Sequence, residues 1–213
     1  MYLILLGAPG VGKGTQSKML EEKFGMVQLS TGDILRTEIT KGTELGKLAA
    51  TYMENGGLVP DDIIVNMISK YLDDRDLILD GFPRTLEQAE ALALILEKQN
   101  KKLNIVLNIT LDDQLIVDRL CGRLICRSCG TSFNIKFAKP KVEGVCDICS
   151  GELYQRPDDK EESIINRLKL YHSKTKPLID FYRSRGKLTM IDGNRNSSEV
   201  FENLVEVITK EIK

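Results

Sequence analysis

Residues 1–15 read MYLILLGAPGVGKGT, and their reading decides the fold. Tyr2–Leu6 is an unbroken apolar run of strand length that leads straight into glycine, the pattern of a strand buried on both faces. The chain continues as Gly7-Ala-Pro-Gly-Val-Gly12-Lys13-Gly14-Thr15, and helical periodicity begins at Lys13. In such a loop glycines let backbone N–H groups curl around an anion, and the start of the helix adds partial positive charge. A lysine placed like Lys13 reaches the terminal phosphates. The candidate phosphate-binding residues are therefore Gly10, Val11, Gly12, Lys13, Gly14 and Thr15. One departure matters: Gly14 follows the lysine, so the hydroxyl that could reach magnesium comes one residue later, at Thr15. A glycine-rich turn without a ligand would not require the strand, the lysine and the helix together.

Working outward, further apolar runs at Val27–Leu29, Leu77–Leu79, Ile105–Ile109 and Leu188–Ile191 read as strands. Helix-period apolar residues mark Lys13–Phe24, Asp61–Leu72, Thr85–Lys98, Asp113–Leu120, Lys160–Tyr171 and Ser197–Lys210. Short apolar strands alternating with helices predict an α/β fold, with a mostly parallel five-stranded sheet covered by helices on both faces. Pro177 should break or kink the helical stretch around Glu161–Arg185. Two segments interrupt the alternation. Ser30–Val59 is helical, and Cys126–Leu153 is rich in Gly, Cys and Lys, with SFNIKF as a strand candidate.

Composition narrows the function classes. The 213 residues carry a net charge of −1, with 42% hydrophobic and 29% charged residues, as expected of a soluble globular protein. No basic excess advertises nucleic acid. YLILL is too short for a signal-peptide core or a membrane span, so the expected location is cytoplasmic, with no membrane partner.

Arginines recur beside glycine turns, helix ends and acids: Arg36 in GDILR, Arg84 in DGFPR, Arg119 and Arg123 in DRLCGR, Arg156 in YQRPDD and Arg167 in INRL. Each alone reads as a solvated surface residue. Together their planar forks suit phosphate oxygens, as transfer between two nucleotides would need. The one histidine, His172, cannot complete a Ser-His-Asp or Cys-His set and reads as structural. A kinase acting on a phosphate needs no base, because the acceptor oxygen is already anionic. Asp80, closing the run LILD, is placed to hold magnesium-bound water. Asp33 is a candidate for the same task or, equally, a helix-capping acid.

The cysteines form a spaced set: Cys126-x2-Cys129-x16-Cys146-x2-Cys149. That spacing is a zinc pattern, and four protein thiolates leave no open position, so the metal would be structural. Iron also accepts four thiolates, and two disulfides or free thiols are the other readings. Cys121 lies outside the set, at a helix end, and reads as core packing. From Arg123 to Glu152 the basic excess is too weak for a nucleic-acid-binding stripe, and Phe133 and Phe137 alternate as in a half-buried strand.

GAPGVGKGT, LSTGDILR, LILDGFPRT, DRLCGR and RPDD…NRL, in this order over essentially the whole chain, resemble adenylate kinases of the long-lid, zinc-containing type. The resemblance implies a P-loop core (1–29, 60–121 and 160–213), a helical AMP-binding domain (30–59) and a zinc-binding β lid (122–159). It implies reversible transfer of the terminal phosphoryl group of Mg-ATP to AMP, giving two ADP, by a monomer whose side domains close over the nucleotides. AMP would meet Thr31, Arg36, Gly57, Leu58, Val59, Gly81, Phe82, Pro83, Arg84, Gln88, Arg156 and Arg167. Gln88 would read the adenine edge, although Thr85 and Gln88 also fit a helix capping box. ATP would lie on Gly10–Thr15 and meet Arg119, Arg123, Ser132, Phe133 and Arg195. Lys13, Arg84, Arg123, Arg156 and Arg167 would be the catalytic set. Asp158 and Asp159 would engage the arginines and steady the closed lid, and could at the same time cap the helix beginning near Lys160. The Phe82–Pro83 bond is a candidate cis peptide. A UMP/CMP kinase, or an ATP-switched zinc-ribbon regulator, are the competing readings.

Overall fold

The computed structural model describes residues 1–212. Five strands, β1 (Tyr2–Leu6), β2 (Val27–Ser30), β3 (Leu77–Asp80), β4 (Ile105–Thr110) and β8 (Leu188–Asp192), form a wholly parallel sheet in the order β2-β3-β1-β4-β8. Each run expected to be a strand is one, with ends moved by at most a residue.

The period-2 alternation of these strands builds two cores. Leu3 and Leu5 point to one face with Ile78, Ile105, Leu107, Ile109 and Ile191. There they meet α1 (Lys13–Phe24), α6 (Asp113–Cys121), α7 (Glu161–Leu170) and α9 (Ser197–Ile212), through Leu20, Ile116, Leu120, Ile164, Leu168 and Leu204. Tyr2, Ile4 and Leu6 point to the other face with Leu77, Leu79 and Val106. That face is covered by α4 (Asp61–Ser69), α5 (Leu86–Lys98) and α8 (Leu178–Arg183), through Ile64, Ile68, Leu92, Leu178 and Tyr182. Burial of β1, β3 and β4 on both faces explains their nearly continuous apolar reading, and the edge strands β2 and β8 are only partly buried.

Helices end where side chains cap them. Thr85 lies outside α5 as its N-cap, its hydroxyl accepting the Gln88 N–H. The long stretch before Pro177 is split as expected, but with an added feature. A π-helical turn, Tyr171–Thr175, separates α7 from α8, and Pro177 sits at the head of α8, where its missing N–H leaves no bond unmade.

Residues 30–59 contain α2 (Thr31–Lys41) and α3 (Glu44–Met53). These helices approach so closely that a Cβ on Gly46 would overlap the Glu38 carbonyl. The second insertion is a three-stranded antiparallel sheet, β6-β5-β7, of Ser132–Asn134, Arg123–Cys126 and Leu153–Tyr154. Its own core is only Cys126, Phe133, Cys146 and Leu153, with Leu124 against them. One expectation fails here: SFNIKF is strand only as far as Asn134. The Asn134 side-chain carbonyl accepts the N–H groups of Lys136 (2.8 Å) and Phe137 (3.0 Å), which turns the chain out of the sheet. Phe133 is therefore buried while Phe137 is 60% exposed, and the two do not alternate along one strand. Lys18 on α1 donates to the Gly130 carbonyl at 3.1 Å, so this small sheet rests on the core. Among the described residues, no helix is long and apolar enough to cross a membrane.

Candidate active site and metal centre

The carboxyl ends of β1, β2 and β3 open into one cleft of about 1510 Å³, bounded also by α2 and the three-stranded insertion. Ligands of open parallel sheets bind at this end of the strands. The loop after β1 turns through Gly12, which is left-handed (φ 102°) and caps α1. A side chain on Gly10 would meet Leu120 Cγ at 2.8 Å, so the loop backbone faces the cleft bare. Lys13 Nζ donates to the carbonyls of Gly7 and Ala8, both at 2.9 Å.

Burial dominates the electrostatics. It brings the Lys13 ammonium down to about 8, against the opposing pull of Asp80. It pushes the Asp80 carboxyl up, against Lys13 and the Gln28 amide that donates to Asp80 Oδ2 at 2.8 Å. Each group is thus held in the cleft at the expense of its charge.

Around them stand the arginines. Arg84 is half-buried at the GFPR turn and its Nε donates to the Gly81 carbonyl at 2.8 Å. Arg123 grips the fully buried Asp159 with two nitrogens, one at 2.8 Å. Arg167 Nη1 lies 3.0 Å from Asp158 and 3.5 Å from Asp159, and burial lowers it to about 10. Arg36 and Arg156 share one oxygen of Asp33, at 2.6 and 3.7 Å. Arg156 Nε is buried with no partner. The pairing therefore collects four arginines and three aspartates, from four separate stretches of sequence, along one cleft, with Arg84 held beside them by the Gly81 carbonyl.

The open alternatives for the acids resolve as follows. Ser30 caps α2, accepting the Asp33 N–H at 3.3 Å, while the Asp33 carboxylate faces arginines. Asp158 and Asp159 likewise pair with arginines, and α7 has no side-chain cap. Thr31 Oγ1 donates to the Gly81 carbonyl at 2.9 Å. Gly57, Leu58, Val59, Gly81, Pro83, Arg119, Ser132, Phe133 and Arg195 also line the cleft. The Phe82 side chain does not: it is 1% exposed and packs into the core behind the turn, while Pro83, joined to it by a cis peptide, lines the cleft.

Gln88 lines the cleft with its amide already engaged. Nε2 donates to Asp61 Oδ1 (2.7 Å) and Oε1 accepts the Arg84 N–H (2.8 Å). Two features, Phe137 in the cleft and Asp61 behind it, are not legible in the sequence. Phe137 was placed in a strand, and only the Asn134 turn brings it to the cleft. Asp61 reads as an ordinary first-turn helix acid, and nothing local signals its partner 27 residues on. His172 lies outside the cleft, its Nε2 2.7 Å from Asp113.

The Sγ atoms of Cys126, Cys129, Cys146 and Cys149 lie within 4.8 Å of one another, and Cys121 is not among them. Cys126 and Cys149 sulfurs are 3.4 Å apart and Cys129 and Cys146 sulfurs 3.6 Å, far beyond a disulfide bond. Tetrahedral thiolates at about 2.3 Å from one ion stand about 3.8 Å apart, so the set fits a metal of that geometry. The Thr131 hydroxyl holds the Cys129 thiol down to about 6, toward the ligating form.

A phosphate loop under a ring of arginines, at the carboxyl ends of a parallel sheet, defines a P-loop phosphotransferase. Comparison with known proteins makes the assignment specific. A family model described as adenylate kinase matches residues 5–187. Adenylate kinases of Methanothrix thermoacetophila and Methanosarcina barkeri are 50% and 47% identical, each over 99% of both chains. That of Caldicellulosiruptor bescii is 47% identical over 98% of this chain and 99% of its own. The chain belongs to the adenylate kinase family.

Proposed function

We propose that this protein reversibly transfers the terminal phosphoryl group of Mg-ATP to AMP, giving two ADP, by charge neutralisation and domain closure without a general base. The observation that carries the reading is two phosphate-binding sets in one cleft. The Gly10–Thr15 loop with Lys13 is one, and Thr31, Arg36 and Arg84 around the Gly81 turn are the other. A nucleotide-driven switch would need only the first.

Residues 30–59 close over AMP, with Gly57, Leu58, Val59, Pro83 and Gln88 around its nucleoside. Residues 122–159 close over ATP, with Arg119, Ser132, Phe133 and Arg195 around its adenine and ribose. Phe137, which lines the same cleft, joins them. Arg123, Arg156 and Arg167 exchange their aspartates for phosphates as the two nucleotides enter, and with Lys13 and Arg84 they offset charge in the transition state. Closure excludes water, the competing acceptor. Asp80 and Asp33 would hold magnesium through water, and the ion would supply charge neutralisation at the phosphates. No proton need be removed from the acceptor, which agrees with His172 lying outside the cleft.

The four cysteines are read as a closed structural zinc site that staples residues 122–159 and takes no part in the chemistry. Metal thiolates suit a reducing compartment, and the same reading makes the protein a cytoplasmic monomer whose partners are ATP, AMP and ADP. The acceptor is tested by turnover with AMP, GMP, CMP and UMP in parallel. AMP is expected to lead by tenfold or more in kcat/KM, on the order of what hydrogen-bonded base readout supplies. Another monophosphate ahead of AMP would replace the adenine assignment.

Lys13 adds a pH signature. Its free-state pKa of about 8 must rise when polyphosphate binds. Above pH 8 the free amine is neutral and the bound one protonated, so binding takes up a proton and affinity falls, by at most about tenfold per pH unit. Calorimetry at pH 9 in buffers of unlike ionisation enthalpy should show the uptake. Proton-neutral binding at pH 9 would contradict it.

A further inference from the structure

The Gln88 amide is held by two partners whose hydrogen-bonding characters cannot be exchanged. Asp61 presents a carboxylate, which only accepts, and it takes a proton from Nε2 at 2.7 Å. The Arg84 peptide N–H only donates, and it points at Oε1 at 2.8 Å. Thr85 tightens the arrangement from the side: its hydroxyl donates to the other Asp61 oxygen at 2.8 Å and accepts the Gln88 N–H at 3.1 Å. An amide flip would set Oε1 against the carboxylate and Nε2 against the peptide N–H, two repulsive contacts at a residue 2% exposed.

We infer that Asp61 is a specificity-determining positioning residue: by fixing the Gln88 amide in one orientation, it selects acceptor bases that carry an amino group beside an unprotonated ring nitrogen. The inference rests on the reading that Gln88 contacts the acceptor base. After the two bonds above, the amide retains one acceptor site on Oε1 and one proton on Nε2. Adenine offers the matching pair, a 6-amino donor next to the N1 acceptor. Hypoxanthine has the same shape but offers a 6-oxo acceptor next to an N1–H donor, and guanine does likewise. Either oxo-purine would need the flipped amide. A freely turning glutamine could serve both classes, so the discrimination lies in the lock and not in Gln88 alone. Asp61 stands on the first turn of α4, outside the cleft lining, and does not itself touch the nucleotide.

AMP and inosine monophosphate differ only in this donor–acceptor pair, so they are the probes. In the full-length protein, Asp61→Ala should lower the ratio of kcat/KM for AMP over inosine monophosphate at least tenfold, with KM for ATP unchanged. Asp61→Asn keeps one carbonyl acceptor for Nε2, while Thr85 can turn to accept from the new amide. It should restore the ratio to within about threefold of the starting protein. Gln88→Ala separates the two layers of the reading. If Gln88→Ala collapses the ratio but Asp61→Ala leaves it intact, Gln88 reads the base and the lock is wrong. If Gln88→Ala leaves the ratio intact, the base contact itself is wrong. Parallel loss of both activities in Asp61→Ala at constant ratio makes Asp61 merely structural and overturns the inference. The ratio is internal to each variant, so it is read on whatever fraction folds.

Discussion

Replacing Lys13 with methionine should lower turnover of ATP plus AMP by about 10³-fold while leaving thermal stability unchanged or slightly raised. The two effects have a common cause. Lys13 is half-buried at the end of the phosphate loop, and desolvation, with the nearby Arg84, Arg167 and Arg123 adding to it, lowers it to about 8. A base whose folded pKa lies below its unfolded value costs stability at every pH where it must stay protonated, which includes pH 7. Methionine keeps the apolar stem and removes the disfavoured charge. Asp80, already pushed up by burial, can take a proton when its cation is gone. The same charge is what the terminal phosphates require, so the chemistry loses what the fold gains. The check is kcat at saturating nucleotides beside a melting curve at pH 7. Loss of stability parallel to loss of turnover would assign Lys13 to the fold and not to the reaction.

The second large effect is expected at the cysteines, with the opposite signature. Cys126→Ser should release the metal and lower the first thermal transition by about 10 °C, with turnover at moderate temperature reduced by about twofold or less. Cys126 is 1% exposed and belongs to the four-residue core of the small sheet. So small a core holds three strands over a narrower range of temperature without a staple. The phosphate loop and the Arg84 turn lie on the large sheet and do not depend on it. Metal content by elemental mass spectrometry should fall from one per chain, with the melting curve and the activity followed on the same sample. Large loss of turnover without loss of stability would place the metal in the reaction.

Much of this was legible in the sequence, for identifiable reasons. The three central strands β1, β3 and β4 are buried on both faces, so each is a nearly continuous apolar run of strand length bounded by turn residues. The phosphate loop is local: strand, glycines, lysine and helix are adjacent, and their physics is complete within fifteen residues. The cysteines are four points whose spacing suffices. What could not be read depends on partners far along the chain. Asn134 ends a strand because its side chain captures two following N–H groups, and Phe137 leaves the sheet as a result. The arginines were recognisable as a set, but their pairing with Asp33, Asp158 and Asp159 is set by the packing of α2 and α7 around the cleft. Gln88 looked like a choice between capping and base contact. Its engagement with Asp61 emerges only when α4 and α5 lie side by side.

The central claim is that this cleft holds two nucleotides and passes a phosphoryl group between them. The most direct measurement is ADP formation from Mg-ATP with and without AMP, followed by nucleotide chromatography. The account predicts that two ADP appear for each AMP consumed, with no free phosphate and negligible ATP loss when AMP is absent. ATP hydrolysis to free phosphate at a rate indifferent to AMP would contradict it.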